Sequence, residues 1–158
     1  MARREFVVAA AILLDTKGRV LLVGNDWQGF GTVRYTLPGG IVERGESTVA
    51  AMVREVKEET GLIITKVKHL AYAVHIEDKQ RNDRAVSFAF LADYEGLLNP
   101  RDPDGFIVEA RFFPVEVIKE MIPIPPLIDP LLDYLKERQP GRFYSYTSWD
   151  GKGKTVVP

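Results

Sequence analysis

Three carboxylates fall at Glu55, Glu58 and Glu59, in a stretch from Ser47 to Thr60 that contains neither glycine nor proline. On a helix, positions i, i+3 and i+4 lie within an arc of roughly 100°, so the three share one face. Like charges so placed repel one another, and more strongly when partly withdrawn from water. A hard divalent cation relieves that repulsion. Mg²⁺ favours oxygen ligands, keeps several of its waters and leaves positions for the phosphate oxygens of a substrate. The plain alternative is a glutamate-rich surface helix in which Arg54 neutralises Glu58 one turn on.

Such a helix must be held at defined ends. Ser47 can serve as its N-cap and Gly61 as a left-handed stop, and Val49, Ala50, Val53 and Val56 are expected to anchor it to a sheet. Before it, Phe6 to Leu14 and Val20 to Val23 are apolar runs around the turn residues Asp15-Thr16-Lys17-Gly18, which predicts a β-hairpin. Arg3 and Arg4 ahead of the first run imitate an export signal, but no small-residue cleavage site follows. A Gly-containing loop, 24 to 31, leads to a short strand around Val33 to Leu37 that Pro38-Gly39-Gly40 breaks.

Beyond the helix, Ile63 to Ile76 and Ala85 to Tyr94 are β-branched and aromatic and predict paired antiparallel strands. A turn at Asn99 to Gly105 precedes a strand over Phe106 to Phe113. A short helix follows over Val115 to Met121, then prolines, then a last helix from about Leu127 to Arg138. This order predicts an α+β or α/β/α layered arrangement with a mixed sheet. The expected single domain runs from 1 to 138, with a tail from 139 to 158 whose conformation the pattern does not specify.

The chain has 158 residues, 46% apolar and 27% charged, with a net charge of −1. That balance suits a globular domain and gives no long apolar span for a membrane. It also supplies no positive field for a stable nucleic-acid complex. The absence of cysteine excludes disulfides and thiol chemistry and agrees with a reducing, cytoplasmic setting.

Gly40, Glu46, Arg54, Glu55, Val56, Glu58, Glu59, Gly61 and Leu62 meet every specified position of G-x5-E-x7-R-E-U-x-E-E-x-G-U, where U is aliphatic. The chain therefore resembles the Nudix (MutT-like) hydrolases. The resemblance implies an α/β/α sandwich with a mixed sheet and a loop-helix-loop active site. It implies Glu55, Glu58 and Glu59 as ligands of Mg²⁺, with Mn²⁺ as a substitute, and the Gly40 carbonyl as a further ligand. By the same resemblance Arg54 and Glu46 order the loop, and Glu58, Glu59 or Glu109 accepts the proton of the attacking water. The implied activity is cleavage of a pyrophosphate bond in a nucleoside diphosphate linked to another group: ADP-ribose or a nucleotide sugar, a nucleoside triphosphate, or a dinucleoside polyphosphate. The alternative is a nucleotide sensor of the same fold without catalysis. Homodimers are common in the family.

For the substrate, Arg34, Arg81 and Arg84 are candidate phosphate contacts, and Trp27, Phe30 and Tyr35 are candidate stacking partners for a base. His69 and His75 are expected to pack or hydrogen-bond. Asp102-Pro103-Asp104-Gly105 is expected to be a turn, and Phe143, Tyr144, Tyr146 and Trp149 are expected to cover a neighbouring subunit or close the pocket.

Overall fold

A computed structural model describes residues 2–26 and 31–158. The helix α1, Thr48–Thr60, sits where its capping residues put it. The Ser47 hydroxyl accepts from the Ala50 amide at 3.1 Å, and Gly61 closes the other end at φ 78°. Its buried face differs from the expected one. Ala51, Met52 and Val56 are fully buried together with Glu59 and Thr60, whereas Val49, Ala50 and Val53 are exposed. The contact stripe thus runs beside the glutamates rather than opposite them, so the sheet edge itself desolvates Glu59.

Before α1 lie β1 (Arg4–Ile12), β2 (Val20–Asn25), β3 (Arg34–Thr36) and β4 (Gly39–Ile41). The turn at Asp15 forms, its carboxylate accepting from the Lys17 and Arg19 amides at 2.9 Å. The predicted hairpin does not. β1 and β2 meet only around the Leu14–Val20 bridge and then enter different sheets. Both runs are buried on both faces near the turn, Ala9 to Leu13 and Val20 to Asn25, which suits a crossing between layers better than a half-exposed ribbon.

After α1 come β5 (Ile63–Asp78) and β6 (Asp83–Glu95), antiparallel as predicted. Then follow β7 (Ile107–Phe113), α2 (Val115–Met121) and α3 (Pro125–Glu137). The last helix begins earlier than expected because Pro125 and Pro126 occupy its first positions, where no amide is needed. The tail contributes β8 (Arg142–Tyr146), parallel to β5, and β9 (Thr155–Val157).

The main sheet is mixed, in the order β4-β1-β6-β5-β8-β9, with β1 parallel to β6; a second sheet has the order β3-β2-β7. Alternation along β1 divides the core. Ala9, Ala11 and Leu13 pack with Met52 and Val56 of α1, while Ile12 belongs to the cluster containing Tyr72, Ile76 and Leu131. Three layers result, with α1 on one face of the main sheet and α3 on the other. Among the described residues, no helix is long and apolar enough to cross a membrane.

Candidate active site

Arg54 organises the loop between β4 and α1. Its Nε and Nη2 donate to the two Glu46 oxygens at 2.9 and 3.1 Å, and Nη2 also donates to the Ile41 carbonyl at 3.3 Å. The remaining nitrogen, Nη1, donates to Glu55 Oε1 at 2.7 Å and stands 3.5 Å from Glu58. This fork holds the Glu46 carboxyl below its ordinary pKa and raises that of the guanidinium. The expected pairing of Glu46 with Arg54 is thus present, and the same arginine reaches two of the three clustered glutamates.

Glu59 lies deeper, 8% exposed, and accepts from the Gly39 amide at 2.8 Å. Burial pushes its pKa up from the ordinary 4.5 to about 8. The Gly39 hydrogen bond opposes that rise, while the charges of Glu55, Asp102 and Glu58 add to it. Glu55 is raised for the same leading reason, with Arg54 opposing. Its carboxyl lies against Gly40, where a Cβ would overlap it.

These groups border a cavity of about 750 Å³. Gly39, Gly40, Glu55, Glu59, Asp102 and Asp104 form its polar rim. The rest of the lining is mostly apolar, with Asn25, Thr36, Glu43 and Ser87 as its polar members, and lies between the main sheet and the segment joining α2 to α3, with Trp149 of the tail in its wall. Glu58 does not line this cavity and instead borders a neighbouring depression with Lys57 and Arg101. Among the described residues, no three acidic or histidine side chains are gathered tightly enough to enclose an ion. Arg54 holds Glu55 and Glu58, and Gly39 holds Glu59.

Asp102, like Asp104, is a rim residue that sequence reasoning passed over. It does close a turn, its carboxylate accepting from the amides of Asp104, Phe106 and Ile107 at 2.7 to 3.1 Å. What brings this turn to the rim is the end of α1, whose Glu58 and Thr60 carbonyls accept from the Arg101 and Asn99 amides at 2.9 and 2.8 Å. Spacing in the sequence carries no trace of that junction.

Other candidates are not brought to the rim. Glu109 on β7 accepts a hydrogen bond from the Tyr35 hydroxyl on β3, across Gly24 of β2, whose lack of a side chain lets the two meet. Tyr35 packs edge-on against Phe113, and neither Tyr35 nor Glu109 lines the cavity. Arg34 is exposed on β3, Arg81 pairs with Asp78 at 4.0 Å, and Arg84 pairs with Glu77 at 3.1 Å; none lines the cavity. Trp27 and Phe30 lie outside the described residues. His69 shares a 2.8 Å hydrogen bond with Tyr134, and His75 stands 3.6 Å from Glu77, in keeping with structural roles. Tyr144 and Tyr146 are core residues.

The model of the NUDIX domain matches residues 4–135. An ADP-ribose pyrophosphatase of Methanocaldococcus jannaschii is 37% identical over 109 residues, covering 67% of this chain and 60% of that protein. The 8-oxo-dGDP phosphatase NUDT18 of Mus musculus is 33% identical over 68% of this chain, which spans 32% of that protein. A NUDIX hydrolase from Nitrosomonas europaea superposes with a TM-score of 0.73 at 26% identity, covering 86% of this chain and 92% of that one. The match over most of the chain, the complete 40–62 motif and the shared fold lead to one conclusion: this protein belongs to the NUDIX domain family.

Proposed function

We propose that the chain is a divalent-metal-dependent pyrophosphohydrolase, acting at the rim formed by Glu55, Glu59 and Asp102, with Glu58 on the adjoining depression, on a nucleoside diphosphate linked to a further group. The observation that carries this reading is the withdrawal of Glu59, with Glu55 and Asp102 beside it, from water at the mouth of an apolar cavity. A buried carboxylate cluster without a cation is costly, and hard oxygen donors of this kind fit Mg²⁺ or Mn²⁺. The naming of one relative as an ADP-ribose pyrophosphatase supports the same class of bond.

Glu55, Glu58 and Glu59 would hold the ion, with the Gly40 carbonyl beside them. A bound divalent cation would neutralise the phosphate oxygens and acidify the attacking water. Arg54 fixes Glu55 and Glu58, both half-buried, in place while it is itself held by Glu46. Glu58 or Glu59 takes the proton from the water, since Glu109 is engaged by Tyr35 away from the cavity.

A substrate panel of ADP-ribose, nucleotide sugars, nucleoside triphosphates and dinucleoside polyphosphates tests this. Mg²⁺-dependent cleavage of at least one is expected, abolished by excess EDTA and reduced by orders of magnitude in Glu58→Gln or Glu59→Gln. Near-wild-type turnover in both variants would defeat the assignment. Nucleotide binding without any cleavage would favour a sensor.

A further inference from the structure

The main sheet turns one face to the cavity and the other to α1. On the α1 side, strand register lines up Ala9, Phe88, Ala73, Phe143 and Val157 in one row, and the next row carries Val7 and Val86. The helix covers only the near end of these rows. Ala9 is fully buried with Met52 and Val56, whereas Phe143 is 39% exposed, Val157 58% and Val7 43%. Val86 and Phe88 are half-buried, yet neither core cluster takes them in. Apolar side chains on five neighbouring strands, β1-β6-β5-β8-β9, thus form one continuous open patch rather than the scattered exposures normal on a protein surface. Its far half is supplied by β8 and β9, which lie beyond the family match ending at 135.

The border of this patch is charged but balanced. One row further on, Glu5, Arg84 and Glu77 stand side by side across β1, β6 and β5 on the same face. Arg84 pairs with Glu77 at 3.1 Å and with Glu5 at 3.7 Å, and Arg3 pairs with Glu77 and stands 3.6 Å from Glu5. Two guanidinium groups and two carboxylates alternate there and cancel. A border of one sign would repel its own copy and attract a partner of the opposite sign. A border without net charge permits contact between two like surfaces.

We propose that this face is a homodimer interface, covered by a second copy of the chain, with Phe143 and Val157 at its apolar centre. The shape of the face suits that occupant. α1 stands over the β4-β1 side and leaves the β5-β8-β9 side bare, so the surface has a step. A two-fold axis running along the strands between β5 and β8 sets bare side against bare side. Strand order and register then place Phe88 of each copy over Val157 of the other, and Ala73 over Phe143. The α1 helix of each copy falls beside the β9 edge of the other, which protects an otherwise open strand. Two sheets meeting face to face in this way bury an apolar layer inside a charged border, the usual anatomy of a protein interface.

Sedimentation velocity of the full chain over a range of concentrations should show a reversible monomer–dimer equilibrium. Phe143→Glu and Val157→Glu should each weaken dimerisation on the order of tenfold or more, because each would bury an unpaired charge. Leu97→Glu, at an 86% exposed residue in the loop after β6, should leave it unchanged. A second measurement does not rely on the glutamate variants. The chain has no cysteine, so Ser145→Cys, a near-isosteric change on the same face, places a single thiol beside the proposed axis. A bis-maleimide should link two chains through it far more efficiently than through Leu97→Cys. A monomer at every concentration, a dimer indifferent to both glutamates, or equal crosslinking of the two cysteine variants would each overturn the proposal.

Discussion

Glu59 combines a nearly buried carboxyl, one amide donor and three acidic neighbours, and its titration should be visible in the stability of the metal-free protein. Its folded pKa of about 8 stands above the 4.5 of an ordinary glutamate. Below pH 4.5 both states hold the proton and the group takes nothing from stability. Between 4.5 and 8 the unfolded chain releases the proton while the folded one keeps it, so stability falls as pH rises, and the loss is complete above 8. At about 1.4 kcal/mol per pKa unit the effect is on the order of a few kcal/mol. Urea unfolding in EDTA at pH 5 and pH 8 should show this decline, Glu59→Gln should flatten it, and Mg²⁺ at pH 8 should restore stability. Arg54 acts at the same scale through geometry. Arg54→Lys keeps the charge but cannot grip both Glu46 oxygens and Glu55 together, and should lower stability by roughly 1–2 kcal/mol by chemical denaturation.

The helix α1 links this chemistry to the elements around it. Gly61 ends the helix in the left-handed region, and a Cβ there would overlap the Asn99 carbonyl. Gly61→Ala should cost at least about 1–2 kcal/mol from backbone conformation alone. It should also disturb the 99–102 segment that brings Asp102 to the rim. A fall in melting temperature together with weaker Mg²⁺ binding is the expected pair of results; loss of stability with unchanged metal affinity would separate Asp102 from the site. Capping residues made the helix boundaries legible, because a cap is a local bond between near neighbours. The face it buries was not legible, because that depends on which edge of the sheet it meets.

Across the whole molecule, the tail is structural as well as a wall of the cavity. β8 pairs with Tyr72 to Ile76 of β5 and buries Tyr144 and Tyr146, each 1% exposed. Truncation after Glu137 would strip β5 of its neighbour and open the core on the α3 side. The shortened chain should aggregate or lose its near-UV circular dichroism, although residues 4–135 carry the whole family match. A soluble, cooperatively melting product would show the tail to be dispensable.

The Glu46–Arg54 pair followed from the resemblance of the 40–62 motif to a known family; the sequence by itself determined the carboxylate helix, its caps, the paired strands β5 and β6 and the layered architecture. Each is written in residues near one another or in a periodicity of two or 3.6. Tertiary structure alone decided that β1 and β2 part into separate sheets and that Glu59 is buried while Glu58 faces a different depression. It also decided that Asp102 joins the rim, that Tyr35 holds Glu109 away from it, and that Trp149 closes the cavity. Each of these is set by contacts between segments far apart in the chain, through the register of the sheets and the packing of α1 at their edge, and short-range spacing does not encode them.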